Sequence, residues 1–208
     1  MTNGTSQKAP YLGVKRILDI AFSLFLILAF FWLFPLIWLA ITLTTAGTPI
    51  YVQNRLGKDK KQFKCYKFRT MQPDTPERGT HETSSEAVTQ VGVFLRRSKL
   101  DELPQLYNVL LGDMSLVGPR PCLPVQEDVI KARTTGNVFR VKPGVTGLAQ
   151  IRGVDMSNPN RLSNIDADYI ASASLVLDFK ILVATLFGRG GGDKVAVAKC
   201  CSAKSVDK

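Results

Sequence analysis

From Ile20 to Leu43 only Ser23, Pro35 and Thr42 interrupt an apolar run that contains no charged residue. A membrane-crossing helix needs about 20 apolar residues, so the run is long enough to span. It is too long for the core of a signal peptide, and Thr45-Ala46-Gly47 is a poor cleavage site. Two features favour a different geometry. Pro35 lies inside the run, where it removes a helical hydrogen bond and clashes with the preceding turn, so a kink is expected there. Basic residues flank both ends: Lys8, Lys15 and Arg16 before, then Arg55, Lys58, Lys60, Lys61, Lys64, Lys67 and Arg69 after. A spanning helix leaves one flank poor in Lys and Arg. The pattern favours a re-entrant helix-break-helix over residues 11–47, with both ends on one side; a single span is the alternative. Trp32 and Trp38 fall near the break.

The remainder reads as a basic, mixed sequence. At 208 residues the chain accommodates one compact domain beside the membrane element. The expected division is a tail at 1–10, the re-entrant segment at 11–47, a cytosolic domain with interfacial helices at 48–187, and a flexible basic tail at 188–208. A net charge of +10 points to anionic lipid, nucleic acid or phosphorylated small molecules. Next to an apolar run the anionic membrane surface leads, at roughly 1 kcal/mol per nearby Lys or Arg. The four cysteines, Cys65, Cys122, Cys200 and Cys201, lack metal-ligand spacing, and the one histidine is His81, so no usual zinc site forms. A reduced cytosolic setting suits them.

The expected fold class is α+β, mostly helical with a small β-hairpin. Thr48 to Met71 reads as that hairpin: Ile50-Tyr51-Val52, a turn at Leu56-Gly57-Lys58-Asp59, and a second strand from Phe63. Gln72 to Gln90, which holds His81, is a polar loop. Ser98 followed by Asp101 resembles a capping box, with Leu100, Leu103, Leu106 and Leu110 at near-helical spacing behind it. Pro104 then falls near the helix start, Asp101 and Glu102 in the first turn, and Gly112 just past the last. Val117 to Pro121 is a rigid turn around Arg120, and Val141 to Gly147 a stiff loop. Asp166 to Phe187 is helix-compatible and apolar in its later part, as a core or interfacial helix would be.

The adjacent acids Asp101 and Glu102 carry the most chemical information. Acids in a helix's first turn can simply complement the macrodipole, for about 0.3–1 kcal/mol. Here Arg96, Arg97 and Lys99 crowd the pair, and Arg120 sits on a proline-locked turn. A carboxylate can attack phosphorus to form an acyl-phosphate, provided cations neutralise the phosphate oxygens. Mg²⁺ suits one or two carboxylates completed by phosphate oxygens and water.

The chain resembles the bacterial sugar transferases, the monotopic polyprenol-phosphate phosphoglycosyl transferases. The matching segments are Lys15 to Asp19, the Pro-broken run, Gln53 to Gly57, Tyr66 to Met71, Leu100 to Leu106, Gly112 to Pro121 and Lys142 to Gln150, in family order over roughly residues 11–187. The resemblance implies a UDP-sugar donor, a polyprenol phosphate acceptor and a Mg²⁺ cofactor. It implies a place in the bacterial inner membrane at the cytoplasmic face, re-entrant in one leaflet. Asp101 matches the family's nucleophile and metal contact, and Glu102 its partner acid. Lys67, Arg96 and Arg120 match basic positions near the phosphates, and Asp166 matches the acid of an Asp-x-x-Tyr pattern with Tyr169. Two positions depart from the pattern: Phe34 precedes the breaking Pro35 where Ser is frequent, and Val154 follows Gly153 where Arg is frequent.

Two other classes compete. A silent membrane-surface scaffold would make the acids and Arg120 merely structural. A nucleic-acid binder would use Phe63, Tyr66 and Phe68, which interleave with Lys64, Lys67 and Arg69. The enzyme reading, without nucleic acid as a partner, accounts for more of the residues. The sugar, the glycan pathway and self-association into a homodimer stay open.

Overall fold

The computed structural model describes residues 8–73, 75 and 87–188. His81, Cys200, Cys201 and almost all of the 188–208 tail lie outside them, as do residues 1–7 and most of the polar loop.

The apolar run forms two helices, α1 (Lys8–Ala29) and α2 (Leu33–Thr44), bent by 64°. Among the described residues no single helix is long and apolar enough to cross a membrane; the bent pair is, by length and composition. The break lies at residues 30–32, upstream of Pro35, which occupies the first turn of α2. An N–H there has no intrahelical acceptor to lose, whereas a helix continuous through Phe31 would meet the proline ring. Pro35 therefore starts a helix and does not kink one. Backbone groups freed at the break are satisfied locally: Leu33 N–H donates to the Phe30 carbonyl at 2.9 Å, and the Trp32 indole donates to the Ala29 carbonyl at 3.1 Å. Phe34 packs on Phe68, ring centres 5.5 Å apart.

Both arms are fastened to one body. Ile37 and Ile41 of α2 are buried with Phe68 and Leu95. On α1, Arg16 donates to the carbonyls of Val109 at 2.6 Å and Leu110 at 3.0 Å. These carbonyls lie in the last turn of α4 (Gln105–Leu111), where a cation complements the dipole. Asp19 accepts from Ser115 Oγ at 2.7 Å and from Leu116 N–H at 3.2 Å. Two of the basic residues read as a membrane flank are therefore internal fasteners, Arg16 here and Lys15 below.

The hairpin is present as expected: β1 (Ile50–Leu56) pairs antiparallel with β2 (Gln62–Phe68). Asn108 bridges β2 to α4, donating to the Lys64 carbonyl at 2.7 Å and accepting from Tyr66 N–H at 3.1 Å. A second pairing was not expected. β3 (Ser115–Val117), which leads into the expected rigid turn, runs parallel to β4 (Gly144–Thr146), inside what read as a stiff loop. The approach is close enough that a Cβ on Gly118 would lie 2.7 Å from the Lys142 carbonyl oxygen.

Two helix boundaries differ from expectation. Ser98 ends α3 (Gln90–Ser98) and donates back to the Phe94 carbonyl at 2.8 Å, so it caps no helix that follows. Lys99 is left-handed, a 3-10 turn covers Leu100–Glu102, and α4 begins only at Gln105, ending at left-handed Gly112 as anticipated. Past α5 (Glu127–Thr135) and the short α6 (Leu148–Ile151), the apolar C-terminal stretch is two helices, α7 (Pro159–Ser172) and α8 (Leu175–Leu186). Ser174 caps α8 by accepting from Leu177 N–H at 3.3 Å.

α8 is both a core helix and an apolar outer face. Ile181 is fully buried in the main core with Val109, Met114 and Cys122, while Val176 and Phe179 are exposed. Burying a side chain of that size contributes about 1.5–3 kcal/mol, enough to hold α8 to the domain. With Ile17, Phe25 and Leu28 of α1 and Leu36, Leu39 and Leu43 of α2, it leaves much large apolar side-chain surface uncovered. Among the described residues the fold class is α+β, mostly helical with two small sheets.

Candidate active site

The 3-10 turn brings Asp101 and Glu102 to the junction of α3 and α4. Asp101 is buried and Glu102 half-buried. Because α4 starts three residues after Glu102, dipole complementation weakens as an explanation for the pair, since that effect falls off within the first turn. Two of the expected cations converge on Glu102 Oε1: Arg120 Nη1 at 3.0 Å and Lys67 Nζ at 3.4 Å. Arg96, on α3, donates from Nε to Thr70 Oγ1 at 2.9 Å.

Other resemblance residues hold the Arg120 turn in place. Arg55 on β1 donates to the Pro121 carbonyl at 2.8 Å and holds Gln53 Oε1 at 2.8 Å. Leu56 N–H donates to the Cys122 carbonyl at 2.9 Å. Gly144 N–H donates to the Pro119 carbonyl at 2.9 Å.

Asp166 is placed elsewhere. Its Oδ2 accepts two hydrogen bonds from Arg133, from Nη2 at 2.7 Å and Nε at 3.0 Å, with both side chains 2% exposed. Burial pushes the Asp166 carboxyl above the usual carboxylate range, and the Arg133 guanidinium opposes that push. Arg133 Nη1 then donates to the Arg120 carbonyl at 2.6 Å. Asp166 reaches the cluster through Arg133 and the Arg120 backbone. Nothing in the sequence singled out Arg133, an ordinary basic residue in a polar helix.

Tyr169, the other half of the Asp-x-x-Tyr pattern, donates to Asp178 Oδ1 at 2.7 Å. Asp178 Oδ2 also accepts from Lys15 Nζ at 2.7 Å and Tyr11 OH at 2.8 Å. This network ties α7, α8 and α1 together, and burial with the Asp178 charge raises the Tyr169 phenol above its ordinary value. Asp178 was not anticipated as a site-supporting residue.

A cavity of about 880 Å³ opens beside Glu102 and Arg120. Phe22, Phe25 and Leu26 of α1 wall one side and Phe179, Leu182 and Leu186 of α8 another; Lys99 also lines it. Val154, the departure from Arg, is buried in the core and contributes to the lining, whereas Arg152 is exposed. Burial lowers the Lys99 ammonium from its ordinary value; Glu102 opposes that and Arg120 adds to it.

The profile of the family described as bacterial sugar transferase matches residues 10–189. The chain belongs to that family. The transferase is 37% identical over 191 residues to the undecaprenyl-phosphate glucose phosphotransferase of Komagataeibacter xylinus, covering 83% of this chain and 35% of that protein. The chain thus spans about a third of that relative's length. It is 39% identical over 181 residues to the UDP-glucose:undecaprenyl-phosphate glucose-1-phosphate transferase of Caulobacter vibrioides, covering 83% and 68%. It is 38% identical over 200 residues to the exopolysaccharide production protein ExoY of Rhizobium meliloti, covering 85% and 87%.

Among the described residues no three His, Cys, Asp or Glu side chains gather into a metal cage. The donor chemistry of the transferase suits Mg²⁺ nonetheless, because that ion takes one or two carboxylates and completes its shell with phosphate oxygens and water. Asp101 and Glu102 offer such a pair.

Proposed function

We propose that this transferase moves a sugar-1-phosphate from a UDP-sugar to polyprenol phosphate, releasing UMP, as the first membrane step of surface-glycan assembly. One observation carries the reading: an acid–cation cluster of Glu102, Arg120 and Lys67 stands at the side of an apolar cavity walled by α1 and α8. The cluster suits phosphates and the cavity suits an isoprenoid chain, and the names of the relatives point to the same substrates.

In the first step an Asp101 carboxylate oxygen attacks the sugar-linked phosphorus, and the phosphorus–oxygen bond to UMP breaks. In the second, a phosphate oxygen of the polyprenol phosphate attacks the same phosphorus. The Asp101 carboxylate leaves, and the product is a diphosphate-linked sugar. Arg120 and Lys67, held on Glu102, are assigned with Arg96 to neutralise the phosphate oxygens. Asp101 would hold Mg²⁺, which would supply further charge neutralisation. Asp166 acts through Arg133 to position Arg120.

The fold supports a re-entrant membrane segment. α1 and α2 dock their outer ends on one soluble body, which a segment crossing the bilayer could not do. The uncovered apolar faces of α1, α2 and α8 suit lipid, and contiguous apolar surface of this kind marks interaction sites. The soluble body then sits on the cytoplasmic face of the inner membrane, where UDP-sugars are available. Nucleic acid fits less well: Phe68, one of three candidate stacking rings, is buried against Phe34.

The test is UMP release by purified protein given Mg²⁺, a panel of UDP-sugars and undecaprenyl phosphate. Lipid-dependent UMP release with at least one sugar is expected. Its absence with all of them contradicts the proposal.

A further inference from the structure

We infer that Lys99 binds the phosphate of the polyprenol phosphate acceptor, an assignment that rests on the function proposed above. Lys99 closes α3 with φ 59° and ψ 14°, the left-handed region. Glycine adopts that conformation without steric penalty and is the usual residue just past a helix end. A lysine there is disfavoured by its backbone, and half-burial disfavours its ammonium too. Non-glycine residues kept in such conformations cluster at ligand sites, where the surrounding structure holds them.

The surroundings name the ligand. Lys99 lines the apolar cavity beside Glu102 and Arg120. The cavity presents aromatic and aliphatic walls from α1 and α8, and Lys99 and Arg120 put cationic side chains in the same lining. A UDP-sugar is polar along its whole length and does not match those walls. A long isoprenoid ending in one phosphate matches both parts. Lys99 also immediately precedes the turn carrying Asp101, so a phosphate held there lies close to the proposed nucleophile.

The experiment compares binding of undecaprenyl phosphate and uncharged undecaprenol to wild type, Lys99→Gly, Lys99→Met and Lys99→Arg in detergent micelles. It is run alongside UDP-glucose binding. Lys99→Gly relieves the left-handed backbone while removing the ammonium, so it separates the two roles. Wild type and Lys99→Arg should prefer the phosphate form. Lys99→Gly and Lys99→Met should lose about tenfold of that preference, the order expected for one charge-assisted hydrogen bond. Undiminished preference in Lys99→Gly overturns the assignment. So does a loss that falls on UDP-glucose instead, which puts the ammonium on the nucleotide. A wild-type protein that releases UMP yet shows no preference for the phosphate form overturns this inference alone. A protein that neither releases UMP nor distinguishes the lipids overturns the proposed function with it.

Discussion

Arginine meets carboxylate twice in this molecule, with opposite consequences. Arg133 and Asp166 are both 2% exposed and joined by two short hydrogen bonds. Arg120 and Glu102 are both 14% exposed at the side chain, joined by one contact of 3.0 Å, and both line a cavity. The first pair is closed, with no approach left for a ligand. The second is open on one side, where a substrate phosphate can exchange for the carboxylate. Arg120 links them, since its side chain serves the open pair and its carbonyl is held by Arg133. The difference teaches that burial, and not residue type, separates an ion pair closed to ligands from one that a ligand can reach.

Breaking the closed pair should have the largest effect on folding. Asp166→Ala leaves a buried guanidinium unpaired and should cost about 3–5 kcal/mol of stability. Urea unfolding in detergent measures it. An unchanged midpoint would mean the pair is not structural, and the contrast with Glu102 would lapse. Glu102→Gln should do the reverse. Turnover falls about a hundredfold, equivalent to about 2.7 kcal/mol, while the unfolding midpoint moves little. Equal loss of stability and activity would make Glu102 another structural acid.

A third site lies between these extremes. Asp178 is 5% exposed and accepts from Lys15, Tyr11 and Tyr169. Asp178→Asn keeps the shape but removes the charge Lys15 meets, and should cost about 1–3 kcal/mol. The loss should loosen α1 from α8, read as faster amide exchange in α1. Exchange confined to α8 would contradict the fastening role. The smallest effect is expected at the break. Trp32→Phe removes one partly solvated hydrogen bond to the Ala29 carbonyl, costing about 1 kcal/mol or less.

How much of this was legible beforehand follows from how local each signal is. The hairpin declared itself because strand, turn and strand lie within twenty-odd residues, each with its own composition. The break in the apolar run declared itself through Pro35, although the bend falls upstream of it. Gly112 marked a helix end because only the left-handed region closes α4 there. The parallel pair of β3 and β4 gave no signal. Each strand is three residues, too short for alternation to register, and the partners lie far apart in sequence. The Ser98–Asp101 spacing misled because a capping pattern four residues long occurs without a helix behind it. At the candidate site, sequence picked out Asp101, Glu102, Lys67, Arg96 and Arg120, and the structure brings Glu102, Lys67 and Arg120 into contact. Arg133 and Asp178 escaped notice because their importance comes from burial beside distant partners, which no local pattern records.

The account depends most on the chemical role given to Asp101. The direct measurement is to mix the protein with a UDP-sugar carrying a labelled β-phosphate, withhold polyprenol phosphate, quench, and map the label by mass spectrometry of peptides. The account predicts label on Asp101, discharged when polyprenol phosphate is added and absent from Asp101→Asn. Label on another side chain, or transfer to lipid with no labelled protein at any time, would contradict it.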